Sequence, residues 1–283
     1  MRVVVTGAAG QLGQDVVLEL VRKNHEVIGT DRTKLDITNE LNVLAFISEV
    51  KPDVILHCAA YTNVDAAEEN EKLAYQINAS GTEYLAKAAA QIGAKMLYVS
   101  TDYVFDGSAS EPYEVEQQTK PIGAYGRTKL AGEELLQRNL KEFFIVRTAW
   151  VFGIHGNNFV KTMIRLGAER GEVGVVHDQV GSPTYTVDLA TFMVELMETD
   201  KYGIYHATNS GVCSWYEFAV EIFKQASLKV IVNPLTSDQF PRPAARPNYS
   251  VLSKKKITEQ GLTPLRDWKE ALAAYLEEAT DKN

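Results

Sequence analysis

A tyrosine and a lysine stand four positions apart in a segment with helical periodicity. Tyr125 and Lys129 therefore share one helix face. A phenol with a pKa of about 10 is a poor acid or base at neutral pH, but a neighbouring ammonium stabilises the phenolate and lowers that pKa. The pair predicts proton transfer at a carbonyl or alcohol oxygen. Of the thirteen tyrosines, only Tyr125 has a lysine four residues later.

A hydroxyl-bearing segment follows the predicted strand Lys95–Ser100. Ligands of open parallel sheets lie beyond the carboxyl ends of the strands, so Thr101 and Asp102 are placed to meet a substrate. A Thr101 hydroxyl there donates a hydrogen bond to the reacting oxygen and polarises it. Asp102 has two open interpretations, a substrate contact or the cap of a turn. We therefore expect three catalytic residues, Thr101, Tyr125 and Lys129.

Three glycines near the start of the chain predict a phosphate-binding turn. They follow the buried strand Val3–Val5 and precede an amphipathic helical pattern. Glycines let the backbone turn tightly, approach a pyrophosphate and pack helix on strand, while the helix N-terminus offers free N–H groups. The segment predicts a dinucleotide cofactor contacted by Gly7, Gly10, Gln11, Leu12 and Gly13.

Residues that follow the second predicted strand, Glu26–Thr30, are expected to contact the adenosine half of the cofactor. Asp31 favours NADH by accepting hydrogen bonds from the ribose, whereas Arg32 favours NADPH by pairing with its 2′-phosphate. Asp31 and Arg32 favour different cofactors, so these two residues leave the cofactor preference open. The cofactor we expect is NADPH, with NADH as the alternative. Asp36, followed by Ile37, either reaches the adenine amino group or caps a turn.

Small residues end the third predicted strand, Val54–His57. Ala59 and Ala60 leave space for the nicotinamide ribose against the backbone, or they serve close packing of strand on helix. Both interpretations stay open. With the neighbouring Tyr61 they complete the expected cofactor contacts.

Composition restricts the class of protein. The 283 residues are 45% hydrophobic and 23% charged, which suits a globular chain with a full-sized core. The net charge of −8 lacks the basic surplus that nucleic-acid binding requires. Two cysteines make no disulfide framework, no signal peptide is recognised, and no apolar run is long enough for a membrane span. We expect a cytoplasmic monomer or homodimer with no metal site and no nucleic-acid or membrane partner.

Apolar runs and helical patterns alternate along the first half of the chain, which predicts the α/β class. Strands at 3–5, 26–30, 54–57, 95–100 and 143–148 favour a Rossmann-type doubly wound parallel sheet. After Trp150 the pattern changes to helices at 159–170, 186–198, 214–225 and 267–277 and short strands at 173–177, 204–206 and 230–232. We expect an NAD(P)-binding Rossmann domain over residues 1–150. Residues 151–283 are expected to form mainly a smaller α+β substrate-binding region, interleaved with the first.

The segment Thr6–Gly13, the pair Ser100-Thr101 and the spacing of Tyr125 and Lys129 resemble the extended short-chain dehydrogenase/reductase family. Five segments resemble its dTDP-4-dehydrorhamnose reductase branch: Ser100–Gly107, Tyr125–Glu133, Arg147–Gly153, Asp178–Thr184 and Arg246–Leu252. They occur in the family's order and cover essentially the whole chain. The resemblance implies hydride transfer from NADPH or NADH to the C4 carbonyl of dTDP-4-dehydro-β-L-rhamnose. The product would be dTDP-L-rhamnose, in the last step of dTDP-rhamnose biosynthesis.

The same resemblance implies roles for individual side chains. Tyr125 would protonate the developing alkoxide, Lys129 would lower the pKa of Tyr125 and hold the nicotinamide ribose, and Thr101 would bind the reacting oxygen. An arginine suits the diphosphate because a guanidinium clamps phosphate oxygens bidentately. The implied substrate contacts are Thr62, Val64, Thr101, Asp102, Tyr103, Tyr125, Trp150, Gln179 and Arg242, with Arg246 also toward the dTDP end.

Two other functions remain open. A nucleotide-sugar 4-epimerase uses the same residue types and returns the hydride to the sugar. A non-catalytic NADP-binding regulatory subunit shares the fold, but the retained Thr101, Tyr125 and Lys129 disfavour it. A 4,6-dehydratase is also disfavoured, because Asp102 is followed by Tyr103 where that reaction uses a glutamate.

Overall fold

The computed structural model describes residues 1–281, so the last two residues of the region expected at 151–283 lie outside the described residues. Its strands are β1 (Arg2–Thr6), β2 (Glu26–Thr30), β3 (Val54–His57), β4 (Lys95–Thr101), β5 (Phe143–Thr148), β6 (Val151–Phe152), β7 (Glu172–Val176), β8 (Val180–Gly181), β9 (Thr184–Tyr185), β10 (Gly203–His206), β11 (Cys213–Ser214) and β12 (Ile231–Leu235). Six of them form one parallel sheet in the order β10-β5-β4-β3-β1-β2. The predicted doubly wound parallel sheet is confirmed.

Helices cover both faces of this sheet, and other helices pack together away from it in the second half of the chain. They are α1 (Gln11–Arg22), α2 (Glu40–Val50), α3 (Val64–Glu69), α4 (Glu71–Tyr75), α5 (Gly81–Ile92), α6 (Ala124–Asn139), α7 (Phe159–Arg170), α8 (Thr186–Met197), α9 (Trp215–Gln225), α10 (Lys255–Glu259) and α11 (Trp268–Asp281). The π-helical turn Gln76–Ser80 joins α4 to α5, and 3-10 turns occupy Asp102–Val104 and Ser237–Gln239. No helix within residues 1–281 is long and apolar enough to cross a membrane.

Alternate side chains of β1 enter two separate cores. Val3 and Val5 pack with Leu20 of α1 and Leu189 of α8, whereas Val4 packs on the other face with Ile47 of α2. Successive residues of a strand point to opposite faces, so continuous valines suit a strand covered on both sides. The run that predicted β1 is therefore explained by burial on both faces.

The strand expected at Ile204–His206 does not lie in the smaller region. As β10, it pairs in parallel with β5 and forms one edge of the main sheet. The sequence of these four residues does not indicate which strand they pair with, because a short apolar run suits the main sheet and the smaller region equally well. α8 covers the same sheet from the second half of the chain, so the two halves share one core.

A third core lies beyond the sheet, in the second half of the chain. Phe152, Phe218, Trp268 and Tyr275 are each less than 5% exposed and pack together. The strand pairs β12·β7, β11·β8 and β6·β9 surround it. The strand expected at 230–232 is observed at Ile231–Leu235 and includes Pro234.

Helix α6 approaches the sheet unusually closely at Gly132. A Cβ there would lie 2.3 Å from the Asn78 carbonyl oxygen and 2.6 Å from the Tyr98 hydroxyl oxygen. Any side chain would push α6 away from the π-helical turn and from β4. Glycine at this position therefore sets the depth at which Tyr125 and Lys129 are held.

We expect Gly132→Ala to lower the free energy of unfolding by about 2–3 kcal/mol, because the neighbouring backbone cannot yield to the added methyl. Urea unfolding followed by circular dichroism measures this change. Glu134→Ala serves as a control on the same helix, since its ion pair with Arg138 is exposed and should contribute less than about 1 kcal/mol. Equal midpoints for the two variants would contradict the assigned role of Gly132.

Candidate active site

A cavity of about 830 Å³ opens at the carboxyl ends of β1, β3, β4 and β5. Most residues expected to contact a cofactor or substrate line it. They are Gly7, Gly10, Gln11, Leu12, Gly13, Asp31, Arg32, Asp36, Ile37, Ala59, Ala60, Thr62, Val64, Thr101, Asp102, Tyr103, Tyr125, Lys129 and Trp150. Residues spread over 140 positions of sequence thus meet in one place.

The glycine turn has space only for hydrogen atoms at two positions. Gly7 has a φ of +68°, and a Cβ there would lie 2.7 Å from the Ala59 nitrogen. A Cβ at Gly13 would lie 2.1 Å from the Gly7 carbonyl oxygen. α1 begins directly after Gly10, so its first N–H groups face the cavity end of the turn. This cradle fits the pyrophosphate of a dinucleotide.

Two carboxylates at the adenosine end of the cavity stabilise their own turns. Asp31 Oδ1 accepts hydrogen bonds from the Thr33 N–H, the Thr33 hydroxyl and the Lys34 N–H at 2.6–3.0 Å. These bonds lower the pKa of Asp31. Asp36 Oδ1 accepts from the Thr38 N–H and hydroxyl, which lowers its pKa in the same way. Arg32 lines the cavity beside them, so both expected adenosine contacts stay predictions.

Lys129 is buried beneath the cavity, at 2% exposure. Its Nζ donates a 2.6 Å hydrogen bond to the Val99 carbonyl oxygen and lies 4.0 Å from the centroid of the Tyr98 ring. Burial lowers the pKa of Lys129 to about 7, and the negative charge of Glu133 opposes this shift. The ammonium is therefore held by a carbonyl dipole and an aromatic face rather than by a contacting carboxylate.

Tyr125 occupies the first turn of α6, one turn before Lys129. Burial is the main cause that raises its pKa, followed by the charge of Asp102, while hydrogen bonding from Thr101 opposes them. The expected lowering of the Tyr125 pKa by Lys129 is not found. The physical reason is that the Lys129 ammonium is directed at Val99 and Tyr98, so desolvation of the phenolate dominates.

Thr101 links the reactive tyrosine to a buried acid. Its hydroxyl donates a 2.9 Å hydrogen bond to Asp102 Oδ1 and accepts one from the Tyr103 N–H. Asp102 is 2% exposed, and burial raises its pKa to about 6. Hydrogen bonds from the Ser250 and Thr101 side chains oppose that shift. The capping interpretation applies to Thr101, whose side chain accepts from the Tyr103 N–H, while the Asp102 carboxyl is buried at the cavity wall.

Trp150 forms the far wall of the cavity with a strained backbone. Its φ is +49°, a conformation that non-glycine residues rarely adopt. The indole stacks on Trp215 at a centroid distance of 3.6 Å, and a Cβ at Gly181 would lie 2.7 Å from it. Packing from two other segments therefore holds the Trp150 ring in place.

Four expected contacts do not line the cavity. Tyr61 instead exchanges backbone hydrogen bonds with the Asn78 side chain at 2.8 and 3.2 Å. The Gln179 amide donates to the Ser237 hydroxyl at 3.0 Å. Arg242 lies 3.7 Å from Asp65, which also binds Arg246 at 2.9 Å. Contacts of these four residues with a ligand stay predictions.

Several lining residues were not among the contacts expected from the sequence. They include Thr6, Leu35, Thr38, Leu73, Gln76, Ile77, Ser100, Thr148, Asn157 and Trp215. Thr148 was the most accessible to prediction, because it ends a strand at the same sheet edge as Thr101 and pairs with it in register. Trp215 begins α9, remote in sequence, so only the tertiary fold brings it to the cavity.

Comparison with known proteins assigns this chain to a family. The model of the RmlD substrate binding domain family matches residues 1–281. The chain belongs to that family. A curated dTDP-4-dehydrorhamnose reductase of Mycobacterium tuberculosis (strain H37Rv) is 44% identical over 97% of this chain and 92% of its own length.

Solved structures of family members agree with this assignment. A dTDP-4-dehydrorhamnose reductase of Clostridium acetobutylicum superposes with a TM-score of 0.97 at 49% identity, covering 99% of this chain and 100% of that one. The Bacillus anthracis dTDP-4-dehydrorhamnose reductase, solved in complex with NADP, gives a TM-score of 0.96 at 46% identity, with 98% and 99% coverage. The resemblance found in the sequence is confirmed.

We expect Gly13→Ala to weaken NADPH binding by at least about 100-fold, because its methyl would collide with the Gly7 carbonyl and disrupt the cradle. Titration of the cofactor's fluorescence measures the dissociation constant. Leu18→Ala, at an exposed position of the same helix, is the matched control and should bind like the wild type. Unchanged binding by Gly13→Ala would exclude this turn as the pyrophosphate site.

Proposed function

We propose that this chain reduces the C4 carbonyl of dTDP-4-dehydro-β-L-rhamnose with NADPH to give dTDP-L-rhamnose. The observation that carries the proposal is the convergence of Thr101, Tyr125 and Lys129 on a cavity whose other end is a dinucleotide cradle. Membership of the RmlD substrate binding domain family supports the substrate class. When bound, the nicotinamide cofactor supplies the hydride.

The side chains around the carbonyl handle one proton. Burial keeps Tyr125 as a phenol near neutral pH, which suits an acid that donates its proton to the developing alkoxide. Thr101 is positioned to hydrogen-bond that oxygen. Lys129 Nζ is directed at the Val99 carbonyl oxygen rather than at the phenol, so the role that we propose for it is to hold the cofactor, with its remaining N–H donors available for ribose hydroxyls.

The sugar and the diphosphate would lie on opposite sides of Tyr103. Thr62, Val64 and Trp150 line the wall expected to contact the sugar, and Asp102 lines the same cavity as a further expected substrate contact. On the other side, one carboxylate, Asp65, faces both Arg242 and Arg246. Two guanidiniums with one counter-ion leave a positive charge for a diphosphate.

We also propose a division of labour within the chain. Residues 1–150 would bind the cofactor, and the described part of 151–283 would contribute mainly to the substrate side. The two regions interleave, because β10 of the second region is a strand of the main sheet and α8 packs against that sheet. Gln179, buried and bonded to Ser237, would act at the substrate side of this division.

Tyr125→Phe tests the reaction and its acid together. We expect kcat to fall at least about 100-fold while NADPH still binds, because only the phenolic proton is removed. The measurement is loss of NADPH absorbance with dTDP-4-dehydrorhamnose generated in situ. Tyr75→Phe, at an exposed tyrosine that does not line the cavity, is the matched control and should keep most of the activity.

Failure of this assay has distinct meanings. Turnover by Tyr125→Phe at the wild-type rate would refute the role of Tyr125. Tight NADPH binding by the wild type without any oxidation of NADPH would refute the reductase and favour the epimerase or the regulatory subunit. Stoichiometric oxidation by the wild type alone supports the proposal.

Arg32→Ala tests the cofactor preference. If Arg32 pairs with the 2′-phosphate, the variant should lose at least about tenfold in kcat/KM with NADPH and little with NADH, because a charge-assisted bond contributes about 1.5–3 kcal/mol. Lys34→Ala is a control, since that side chain bonds the Gly29 carbonyl oxygen. An unchanged ratio of the two kcat/KM values would remove Arg32 from the cofactor site.

A further inference from the structure

The first turn of α6 receives its cap from another helix. Glu68 of α3 accepts a 2.7 Å hydrogen bond at Oε1 from the Ala124 N–H, the first N–H group of α6. The first N–H groups of a helix have no partner within it, and Gly123, which precedes α6, has no side chain to supply one. Ala124 is 0% exposed, so water does not replace the bond. Glu68 therefore satisfies a buried donor directly before Tyr125 in the chain.

The backbone before α6 leaves space for this carboxylate. A Cβ at Gly123 would lie 2.8 Å from Glu68 Oε1, whereas the Ala245 carbonyl oxygen is 3.8 Å away. The φ of Gly123 is −124°, which any residue adopts, so the backbone conformation does not require glycine here. The helix dipole favours a carboxylate at this end of α6, and its hydrogen bond with an N–H group is charge-assisted. The missing side chain thus serves the contact with Glu68.

Two further contacts fix the turn that carries Tyr125. A Cβ at Gly126 would lie 2.1 Å from the Tyr103 carbonyl oxygen, so the turn lies directly on the segment that follows β4. Ala67 of α3 packs with Ala124 and Tyr125 in a small apolar cluster. The position of this turn is therefore set by α3 as well as by the end of β4.

The same α3 also belongs to the substrate side of the cavity. It begins at Val64, which lines the cavity wall expected to contact the sugar. Glu68 is four residues later, on the same face of the helix. One short helix thus joins the wall expected to contact the sugar to the turn that carries the expected acid.

We propose that Glu68 is a positioning residue that ties α6 to α3 and so fixes the Tyr125 hydroxyl relative to the sugar-binding wall. This inference rests on the proposed function and deepens it, because it names the group that orients the acid. Glu68 is not among the residues that line the cavity, so it acts through α6 rather than by touching the substrate. A displacement of about 1 Å at a reacting group costs about 100-fold in rate, so the loss of this one bond should be visible in kcat.

Glu68→Ala removes the bond. We expect kcat to fall at least about tenfold while the dissociation constant of NADPH stays unchanged, because the acid moves and the cofactor cradle does not. Glu68→Gln keeps an acceptor oxygen for the Ala124 N–H, so its kcat should stay within about threefold of the wild type. Glu69→Ala, at the next and exposed position of α3, is the matched control and should behave like the wild type.

Gly123→Ala attacks the same bond from the other side. Its methyl would displace the Glu68 carboxylate from the Ala124 N–H, so kcat should fall here too. In Glu68→Ala the carboxylate is already absent and the methyl has nothing to displace. The double variant Glu68→Ala/Gly123→Ala should therefore be no slower than the slower single variant, as expected when two substitutions remove one shared interaction.

A second measurement needs no turnover. The 13Cζ signal of labelled tyrosine, assigned to Tyr125 with Tyr125→Phe, reports the surroundings of the phenol in the full-length protein. We expect this signal to move in Glu68→Ala and in Gly123→Ala and to stay in place in Glu69→Ala. If Glu68→Ala does not fold, Gly123→Ala carries both measurements.

The two measurements separate this inference from the proposed function. A wild type that does not oxidise NADPH would refute the reductase, and the Tyr125 signal would still test the inference. An unmoved Tyr125 signal in the folded variants would overturn the inference whatever the activity. An unchanged kcat, or losses that add up in the double variant, would also overturn it.

Discussion

The site depends on the point in the sheet, between β1 and β3, at which the strand order reverses. From β1 the chain builds outward to β2 on one side and then to β3, β4 and β5 on the other. The connections that follow β1 and β3 therefore leave toward opposite faces of the sheet. They open a crevice at the carboxyl ends of these strands, where loops from both halves of the sheet can surround a ligand. Gly7 fits against the Ala59 backbone in this crevice only because Gly7 has no side chain.

Short patterns in the sequence predicted the first strand, the glycine turn and the helix face that carries Tyr125 and Lys129. Continuous valines specified β1 because both of its faces are covered, and the glycine spacing specified the turn because two of its positions exclude a Cβ. The spacing of Tyr125 and Lys129 placed both on one helix face. Each of these patterns lies within about ten residues of chain, which is why the sequence displays it, although the segments that cover β1 and exclude a Cβ at Gly7 are distant.

Long-range contacts were beyond such reasoning. β10 became the edge of the main sheet through pairing with a strand about sixty residues earlier. Trp215 reached the cavity by stacking on Trp150, and Asp65 met Arg246 from 181 positions away. These contacts follow from how the second half of the chain folds over the sheet. The direction of the Tyr125 pKa shift belongs to the same class, because it depends on burial by distant segments.

The stacked pair of Trp150 and Trp215 has an optical consequence. Two of the protein's three tryptophans lie face to face at 3.6 Å, with an interplanar angle of 10°, at the wall of the cavity. Indoles at this separation couple electronically, and Trp268 belongs to the third core, against which both stacked indoles also pack. The stacked pair therefore adds a coupled-indole signal to the near-ultraviolet circular dichroism of the protein. A ligand that moves either indole at the cavity wall changes this signal without a label.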